Sequence, residues 1–349
     1  MSRSSLTIVS SQTEWMQCYA RLAAPSVLAS YPYVSAGSRL INGGIAEAAV
    51  LSLDDDFVFH PYVRRPVPFN LDYFDLVSVY DFGGFWFSTA NPEKRQALLT
   101  EFERAFAAHA AEHRVLCEFM RCHPMAETGA LTFRRYDLRK HQDNVVVRMA
   151  ATIDEVRAGY SDNRRRRVRQ GIRNGLVVEF VEDPGVFMEA YYASLDRYEA
   201  HGEYYFPVTF IEAIKEHLLI THVRTSDGEL CAAFLFLIDG NGIYLFLGAS
   251  VPDKLPLRPN DFGYDAIIEY ALAHKLDYFH IGGGAETLYR FKSSFSPFTV
   301  PFYHARCIFL PERYDELVRL HASEDTNFFP RYRAGLRAER PPSDAHRPP

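Results

Sequence analysis

Hydrophobic residues repeat with two different periods in the first half of the chain. Residues 45–53 and 56–62 have the apolar composition of strands and are separated by a tight acidic turn. Residues 91–113 instead place apolar side chains every three or four positions, which predicts an amphipathic helix. Asn91 and Pro92 suit the N-cap and first turn of that helix. A short buried strand at 114–121 and a polar stretch at 134–144 follow.

The second half alternates helix and strand patterns more regularly. Thr152 and Glu155 form a capping-box pair at the start of a helix predicted to end near Gly175, a residue suited to a left-handed C-terminus. The remaining predictions are strands at 145–148, 176–181, 219–224, 229–238, 242–249, 277–281 and 303–309, and helices at 152–174, 186–201, 209–219, 259–274 and 286–295.

This order of elements predicts an α/β (α+β) fold with helices packed on a mixed, mostly antiparallel sheet. The first half resembles a looser copy of the second, which indicates two tandem domains of the same kind. We predict a first domain at 1–147, a second at 148–312, and a C-terminal segment at 313–349. That segment could return to the first domain, and its Arg- and Pro-rich end is expected to be disordered.

The composition narrows the class of protein. The 349 residues carry 38 Lys and Arg against 44 Asp and Glu, a net charge of −6, which excludes a surface that is basic throughout. Five cysteines with no C-x-x-C pair favour neither a disulfide framework nor a zinc ribbon. The start of the chain lacks an apolar signal segment and the longest apolar run is too short to span a bilayer. We therefore expect a cytoplasmic protein with no membrane span.

The densest charged feature lies between residues 160 and 175. It holds six arginines and one aspartate, a local charge of +5. At helical spacing Arg165, Arg169 and Arg173 share one face, and a row of guanidinium groups favours phosphate binding. The alternative is a solvated helix face that acids elsewhere in the fold neutralise.

A strand that runs into three glycines and a short helix is the second feature. Gly283 and Gly284 would let a backbone approach a ligand closely, although the spacing matches neither a Walker A loop nor a dinucleotide fingerprint. Lys292 follows between Phe291 and Phe295, where partial desolvation would strengthen its charge. The alternatives are a tight structural turn and a lysine that extends into water.

Further candidates mix rings, glycine and a few polar groups. Arg258 and Asn260 flank Pro259 at a predicted helix start, which is either an anion site or an ordinary helix cap. In the first half, the tracts at 80–86 and 119–124 have the composition of a binding groove. His123 is either a base or a structural histidine. The candidate acceptor-binding residues are Asp81, Gly83, Arg121, His123 and, from the aromatic stretch at 201–210, Tyr205.

In their order and spacing these segments resemble the FemABX-like branch of the GNAT acyltransferases, over about residues 10–310. The residues that carry the resemblance are 164–175, 247–250, 258–260, 281–284, the F-K-x-x-F motif at 291–295, and the tracts 80–84 and 119–124. The resemblance implies two tandem GNAT-like domains with a cleft between them. It also implies transfer of an aminoacyl group from a charged tRNA to an amine, commonly on a cell-wall precursor or a peptide natural product. Lys292 matches the lysine that stabilises charge in the family's transfer reaction.

The chain departs from the family in two respects. It lacks the long helical arm that some members insert in the second domain. It also has no evident first-domain lysine for a nucleotide-sugar pyrophosphate, for which Arg39 is only a loose match. These departures argue against a lipid-linked or nucleotide-linked wall precursor and leave room for a small peptide or a natural-product amine as the acceptor.

The resulting hypothesis is an aminoacyl-tRNA-dependent N-acyltransferase with Lys292 as the catalytic residue. It needs no cofactor or metal, takes the acceptor end of charged tRNA and an amine-bearing small molecule or peptide, and does not bind DNA. Asp81, His123 and Glu286 remain alternative general bases. An acyl-CoA-dependent acetyltransferase ranks second because the stretch 251–260 has three prolines and no glycine, and a non-catalytic binding protein ranks third. The candidate donor-binding residues are Arg165, Arg169, Arg173, Arg258, Asn260, Gly283 and Gly284.

Overall fold

The computed structural model describes residues 4–126, 131–322, 327–334 and 336. Within the described residues the chain divides into two compact units, the part up to residue 141 with the part from residue 301 onward (unit 1) and residues 142–300 (unit 2). The sequence prediction put the first boundary at 147/148 and assigned residues 301–312 to the second domain. The boundaries differ because they fall inside two long strands, which hydrophobic pattern alone does not divide.

The secondary structure contains thirteen strands and ten α-helices within the described residues. In chain order they are β1 (Ser4–Val9), α1 (Gln12–Tyr19), α2 (Tyr31–Ser38), β2 (Ile45–Leu53), β3 (Asp56–Val67), β4 (Asn70–Val77), β5 (Trp86–Phe87), α3 (Pro92–Glu112), β6 (Val115–Arg121), β7 (Asp137–Arg148), α4 (Ile153–Ala158), α5 (Asp162–Arg173), β8 (Val177–Val181), α6 (Gly185–Arg197), α7 (Val208–Ala213), β9 (Leu218–Arg224), β10 (Leu230–Asp239), β11 (Gly242–Ser250), α8 (Pro259–Ala273), β12 (Tyr278–Gly282), α9 (Glu286–Ser293), β13 (Thr299–Ile308) and α10 (Pro311–His321). None of the helices in the described ranges combines the length and the apolar character needed to cross a bilayer.

The sheet of unit 1 has the strand order β1-β2-β3-β4-β6-β13, with β5 paired to β3. All its pairs are antiparallel except β4 with β6. Helix α3 packs on the sheet through Leu99, Phe102 and Phe106, which are fully buried. Its predicted start is confirmed, since the Asn91 side chain accepts the backbone N–H of Lys94.

The sheet of unit 2 has the order β7-β12-β11-β10-β9-β8 and is antiparallel except between β11 and β12. Phe234 and Phe236 of β10 belong to the core that includes α8. Leu235 and Leu237, which alternate with them along the strand, are also fully buried. Burial of both faces explains the unbroken apolar run of β10. The predicted fold class, helices on a mixed and mostly antiparallel sheet, is confirmed.

One helix prediction was wrong. The helix expected at 152–174 is divided into α4 and α5, because Ser161 caps a new helix by accepting the backbone N–H of Arg164. The polar stretch at 134–144, for which no element was predicted, lies largely within strand β7. The capping box of Thr152 and Glu155 and the left-handed Gly175, with φ of 70°, are confirmed.

The described part of the C-terminal segment packs against unit 1 around a buried carboxylate. Asp75, which has no solvent exposure, accepts hydrogen bonds from Arg65 Nε at 2.5 Å, from Tyr332 Oη at 2.7 Å and from Arg333 Nε at 2.7 Å. Three donors offset the cost of burying the charge. Residues 337–349, where disorder was expected, lie outside the described residues.

We expect the Asp75→Ala substitution to lower the free energy of unfolding by about 3–5 kcal/mol, because it leaves Arg65 and Arg333 without their shared partner. Urea denaturation measures the loss. The matched control is Asp72→Ala on the same strand, where the side chain is exposed and the change should stay within about 0.5 kcal/mol. Equal effects of the two substitutions would contradict this account.

Candidate functional site

The two parallel strands of unit 2 separate along their length. Strands β11 and β12 pair only from Gly242 with Tyr278 to Tyr244 with His280. Beyond that point β11 continues along β10 to Ser250. The two strands are therefore no longer paired beside the end of β12, where the three-glycine turn begins. Gly282 and Gly284 have φ of 81° and 131°, so the turn uses backbone conformations that other residues adopt only with strain.

Lys292 reaches this turn from helix α9. Its side chain is buried, with 7% of the residue exposed, and Nζ donates a hydrogen bond to the carbonyl oxygen of Gly283 at 2.6 Å. The alternative in which the lysine extends into water therefore does not hold. A buried ammonium fixed by this bond is a positive charge at a defined place beside the turn.

The glycine turn itself is closely packed. The backbone N–H of Gly284 donates to Gln142 Oε1 at 3.2 Å. A Cβ at Gly283 would lie 2.3 Å from Gln142 Nε2, so this position admits only glycine without movement of the neighbouring side chain. The expected phosphate cradle at Gly283 and Gly284 is thus occupied by the protein's own groups, and the glycines serve close packing around Lys292.

A series of hydrogen-bonded polar side chains, which were not identified from the sequence, lies next to this turn. Gln142 Nε2 donates to Asn144 Oδ1 at 3.4 Å, and Asn144 Nδ2 lies 3.2 Å from His280 Nε2. Since the amide nitrogen can only donate, His280 Nε2 is the acceptor. The His280 ring lies against Tyr244, whose hydroxyl is 2.6 Å from that of Tyr278. The signal in the sequence was a histidine within an otherwise apolar strand.

Arg164 connects the helices around the site. It is buried and its guanidinium donates to Asp261 on α8, to Ser294 Oγ at 2.7 Å and to the carbonyl oxygen of Phe291 at 3.0 Å. Its guanidinium carbon also lies 4.3 Å from the ring centre of Phe295. Burial lowers the pKa of Arg164 to about 10, so it remains charged at neutral pH. This residue therefore has a structural role, and it fixes helix α9, which carries Lys292.

The predicted phosphate-binding face of α5 is only partly available. Arg165 Nη1 donates to the carbonyl oxygens of Tyr160 at 2.7 Å and Ala158 at 3.1 Å, at the end of α4, and Nη2 bonds Asp162. Arg169 and Arg173 are exposed. A cleft of about 450 Å³ lies between α4 and α5, which we call the α4–α5 cleft. Its lining residues are Asp154, Arg157, Ala158, Tyr160, Arg165, Val168, Arg169 and Ile172.

The other donor candidates lie on a different side of α5. Arg258, a left-handed residue with φ of 71°, donates to Gln170 Oε1 at 3.3 Å at the start of α8. Asn260 accepts a hydrogen bond from Ser250 Oγ at 2.8 Å. Gln170 is about 140° around the helix from Arg165. The predicted donor set is thus divided between the α4–α5 cleft and the start of α8.

Most of the acceptor candidates come together in unit 1. The N–H of Gly83 donates to the carbonyl oxygen of Arg121 at 2.6 Å, and the Gly83 carbonyl accepts the N–H of His123 at 2.8 Å. Asp81 is left-handed, with φ of 70°, at the start of the same loop. Tyr205 belongs to unit 2, where its hydroxyl donates to Asp196, so the structure does not group it with the others.

The candidate bases have different surroundings. His123 Nδ1 accepts the backbone N–H of Met125 at 3.2 Å, which places the proton of the neutral ring on Nε2 and makes that atom a donor. Glu286 is exposed and paired with Arg290, so nothing desolvates it for proton transfer. Among the described residues, no three His, Cys, Asp or Glu side chains converge as a metal site.

The comparisons with known proteins agree with this geometry. Residues 157–293 match the family model of the acetyltransferase (GNAT) domain. The structure of FemX aligns with a TM-score of 0.66 at 13% identity and covers 89% of this chain and 99% of its own. L-PGS from Bacillus licheniformis aligns with a TM-score of 0.53 at 12% identity, over 85% of this chain and 91% of its own. A C-terminal domain from Agrobacterium fabrum, described as that of a lysylphosphatidylglycerol synthetase, aligns with a TM-score of 0.52 at 16% identity, over 85% and 92%.

No curated protein sequence matches the chain significantly. The domain match places a GNAT acyltransferase domain in unit 2, and the fold over most of the chain is that of FemX. The predicted resemblance to the FemABX-like branch is confirmed for the fold, and the GNAT domain match confirms the predicted class of enzyme, an acyltransferase.

We expect the Arg164→Met substitution to destabilise the protein by about 3–5 kcal/mol, because Asp261 would stay buried without its partner. The matched control is Arg166→Met, an exposed position two residues along the same helix. Thermal unfolding compares the two. The double substitution Arg164→Met with Asp261→Asn should recover a large part of the loss, and no recovery would show that the pair is not the cause.

Proposed function

We propose that the protein transfers an aminoacyl group from a charged tRNA to an amine and forms an amide bond. The observation that carries this proposal is Lys292, a buried ammonium held at the glycine turn beside the separated ends of β11 and β12. Acyl transfer develops negative charge on the carbonyl oxygen, and a fixed cation in a desolvated place stabilises such charge.

In the proposed reaction the acceptor nitrogen attacks the ester carbonyl carbon of the aminoacyl group. Collapse of the tetrahedral intermediate breaks the bond to the ribose oxygen, which takes up one proton while the nitrogen loses one. The products are an amide and an uncharged tRNA, so no cofactor or metal is needed. Lys292 Nζ would stabilise the oxyanion, and alignment of the two reactants would contribute the rest of the rate.

The loop before α8 supports tRNA over acyl-CoA as the donor. Residues Pro252–Leu257 form a 3₁₀-helix, and the N–H groups of Lys254 and Arg258 donate to carbonyls within the loop. Prolines at 252, 256 and 259 have no N–H at all. A loop that binds pyrophosphate through its backbone needs N–H groups that point outward. The five positions 252, 254, 256, 258 and 259 do not offer a free N–H group.

In this proposal, exposed arginines of α5 supply the positive charges that bind the phosphates of the donor tRNA. Arg169 and Arg173 are exposed and Arg169 lines the α4–α5 cleft, whose walls also include Val168 and Ile172. We assign the phosphates of the acceptor stem to this side of α5, with Arg258 and Asn260 as a second contact at the start of α8. Arg165 contributes less to phosphate binding, because its N–H donors already bond carbonyl oxygens at the end of α4.

The acceptor amine is assigned to unit 1, beside the loop of Asp81 and Gly83 and the end of strand β6. Asp81, His123 and Glu286 remain the candidates for the base, and of these Asp81 and His123 lie in unit 1. One structural relative is described as a lysylphosphatidylglycerol synthetase. This name combines an aminoacyl group, lysyl, with the acceptor phosphatidylglycerol. That description also favours an aminoacyl group as the transferred unit.

An acyl-CoA-dependent N-acetyltransferase is the second candidate. The observation in its favour is the match of residues 157–293 to the acetyltransferase domain model. It differs from the first candidate in the donor alone, so donor binding separates the two.

We expect Lys292→Met to lower the transfer rate by about 10²- to 10³-fold, because the oxyanion loses its cation. The assay follows release of labelled amino acid from tRNA in the presence of peptide amines, and circular dichroism verifies the fold. Lys292→Arg keeps the charge and should retain more activity than Lys292→Met. A folded Lys292→Met protein with full activity would refute the catalytic role.

Donor binding should be sensitive to salt and to the exposed face of α5. We expect Arg169→Gln to weaken binding of a charged tRNA pool several-fold and to reduce the slope of log affinity against log salt by about 1. Filter binding at several salt concentrations measures both, with acetyl-CoA as the competing donor. Arg197→Gln on α6 removes the same charge from another exposed position and should change neither. Tight binding of acetyl-CoA with no binding of tRNA would instead support the second candidate.

A further inference from the structure

Basic side chains meet on one sheet face in unit 1, on β6, on β13 and on the first residues of β7, which belong to this unit. Arg121 on β6 lies directly opposite His304 on β13 in the strand register. The ring of His141, near the start of β7, stacks on the His304 ring with 4.3 Å between centres and an interplanar angle of 19°. Arg306 follows His304 two positions along the same face of β13. We call Arg121, His141 and His304 the basic triad.

The charged neighbours of the two imidazoles are basic. The charged groups that act on the two imidazoles are Arg121, Arg306 and the imidazoles themselves, all of them basic. Burial and these neighbours lower the pKa of His304 to about 3, and burial and Arg121 lower the pKa of His141. On the same face of β7, Asp137 is already paired with Arg139 at 2.5 Å. At neutral pH the triad therefore holds one guanidinium beside two neutral imidazoles.

Aromatic rings surround the triad and leave one side open. The Arg121 guanidinium lies 5.6 Å from the ring centre of Tyr80. Phe302 makes edge contacts with both His141 and His304, at 5.6 and 5.0 Å between centres. His141 is exposed, and Arg121 and His304 are partly exposed. Polar nitrogens held by rings and still reachable from solvent make strong hydrogen bonds with a ligand, because little water competes for them.

We propose that Arg121, His141 and His304 form an oxyanion-binding site that takes a carboxylate or phosphate group of the acceptor. A guanidinium presents a fork of N–H donors that fits either group. A bound anion also favours the protonated imidazoles and so removes the repulsion among the basic groups. The identification of the ligand as the acceptor rests on the proposed function, whereas binding of an anion at this place does not.

The purely structural alternative is a stacked histidine pair that fills space between Phe302 and Phe119. That role is met equally well by apolar rings, and it does not account for an arginine opposite His304. It predicts that anions leave the two histidines unaffected. The two accounts therefore differ in what a titration with an anion does to the imidazole nitrogens.

The test is an NMR titration of the ¹⁵N-histidine-labelled full chain with inorganic phosphate and, separately, with succinate, each against chloride at the same ionic strength. We expect the His141 and His304 resonances to move toward those of protonated rings and to saturate. The anion that saturates at the lower concentration identifies the group as phosphate or carboxylate. Resonances that move no further than with chloride would overturn the proposal.

Variants locate the site. We expect Arg121→Met to weaken anion binding by about 10- to 100-fold. His304→Phe keeps a stacked ring and should also weaken binding, which covers the case in which Arg121→Met fails to fold. The matched control is Arg21→Met, which removes another unit 1 arginine that lies over a ring, that of Phe57, and should bind as the parent protein does. Undiminished binding by folded Arg121→Met and His304→Phe would overturn the proposal.

The outcome is independent of catalysis. Lys292→Met should bind the anion as the parent protein does, since it changes unit 2 only. Anion binding without any transfer from charged tRNA would refute the proposed function and leave this site standing. Transfer with no anion binding would refute the site alone.

Discussion

The buried charge of Arg164 is the interaction on which the geometry of unit 2 depends. One guanidinium bonds Asp261 on α8 and Ser294 just after α9, and it lies over the rings of Phe291 and Phe295. A charge removed from water is tolerated only where several partners surround it. Those partners come from separate segments, so the position of α9, which carries Lys292, relative to α5 and α8 is fixed by one side chain.

The elements with strong local signals were predictable from sequence. Helix α3, the hairpins of β9 to β11 and the capping box of Thr152 each follow from a pattern within a few residues. Strand β7 was not predictable in the same way, because its polar half reads as a loop and becomes a strand only through pairing with distant segments. The break between α4 and α5 was missed because a helical period continues through Ser161.

The site shows the same division between local and distant information. The F-K-x-x-F motif identified Lys292, but its bond to Gly283 depends on how α9 folds back on the turn. Helical spacing grouped Arg165 with Arg169, yet the carbonyls at the end of α4 engage Arg165. Gln142, Asn144 and His280 were missed, because residues more than a hundred positions apart carry no common signal in a single sequence.

The packing of Gln142 against Gly283 has an evolutionary consequence. Because any side chain at 283 would overlap the Gln142 amide, an exchange at either position changes which residues the other can accept. The two positions should therefore behave as an epistatic pair, in which the fitness of one substitution depends on the residue already present at the other. Divergence around this turn would therefore proceed by linked steps.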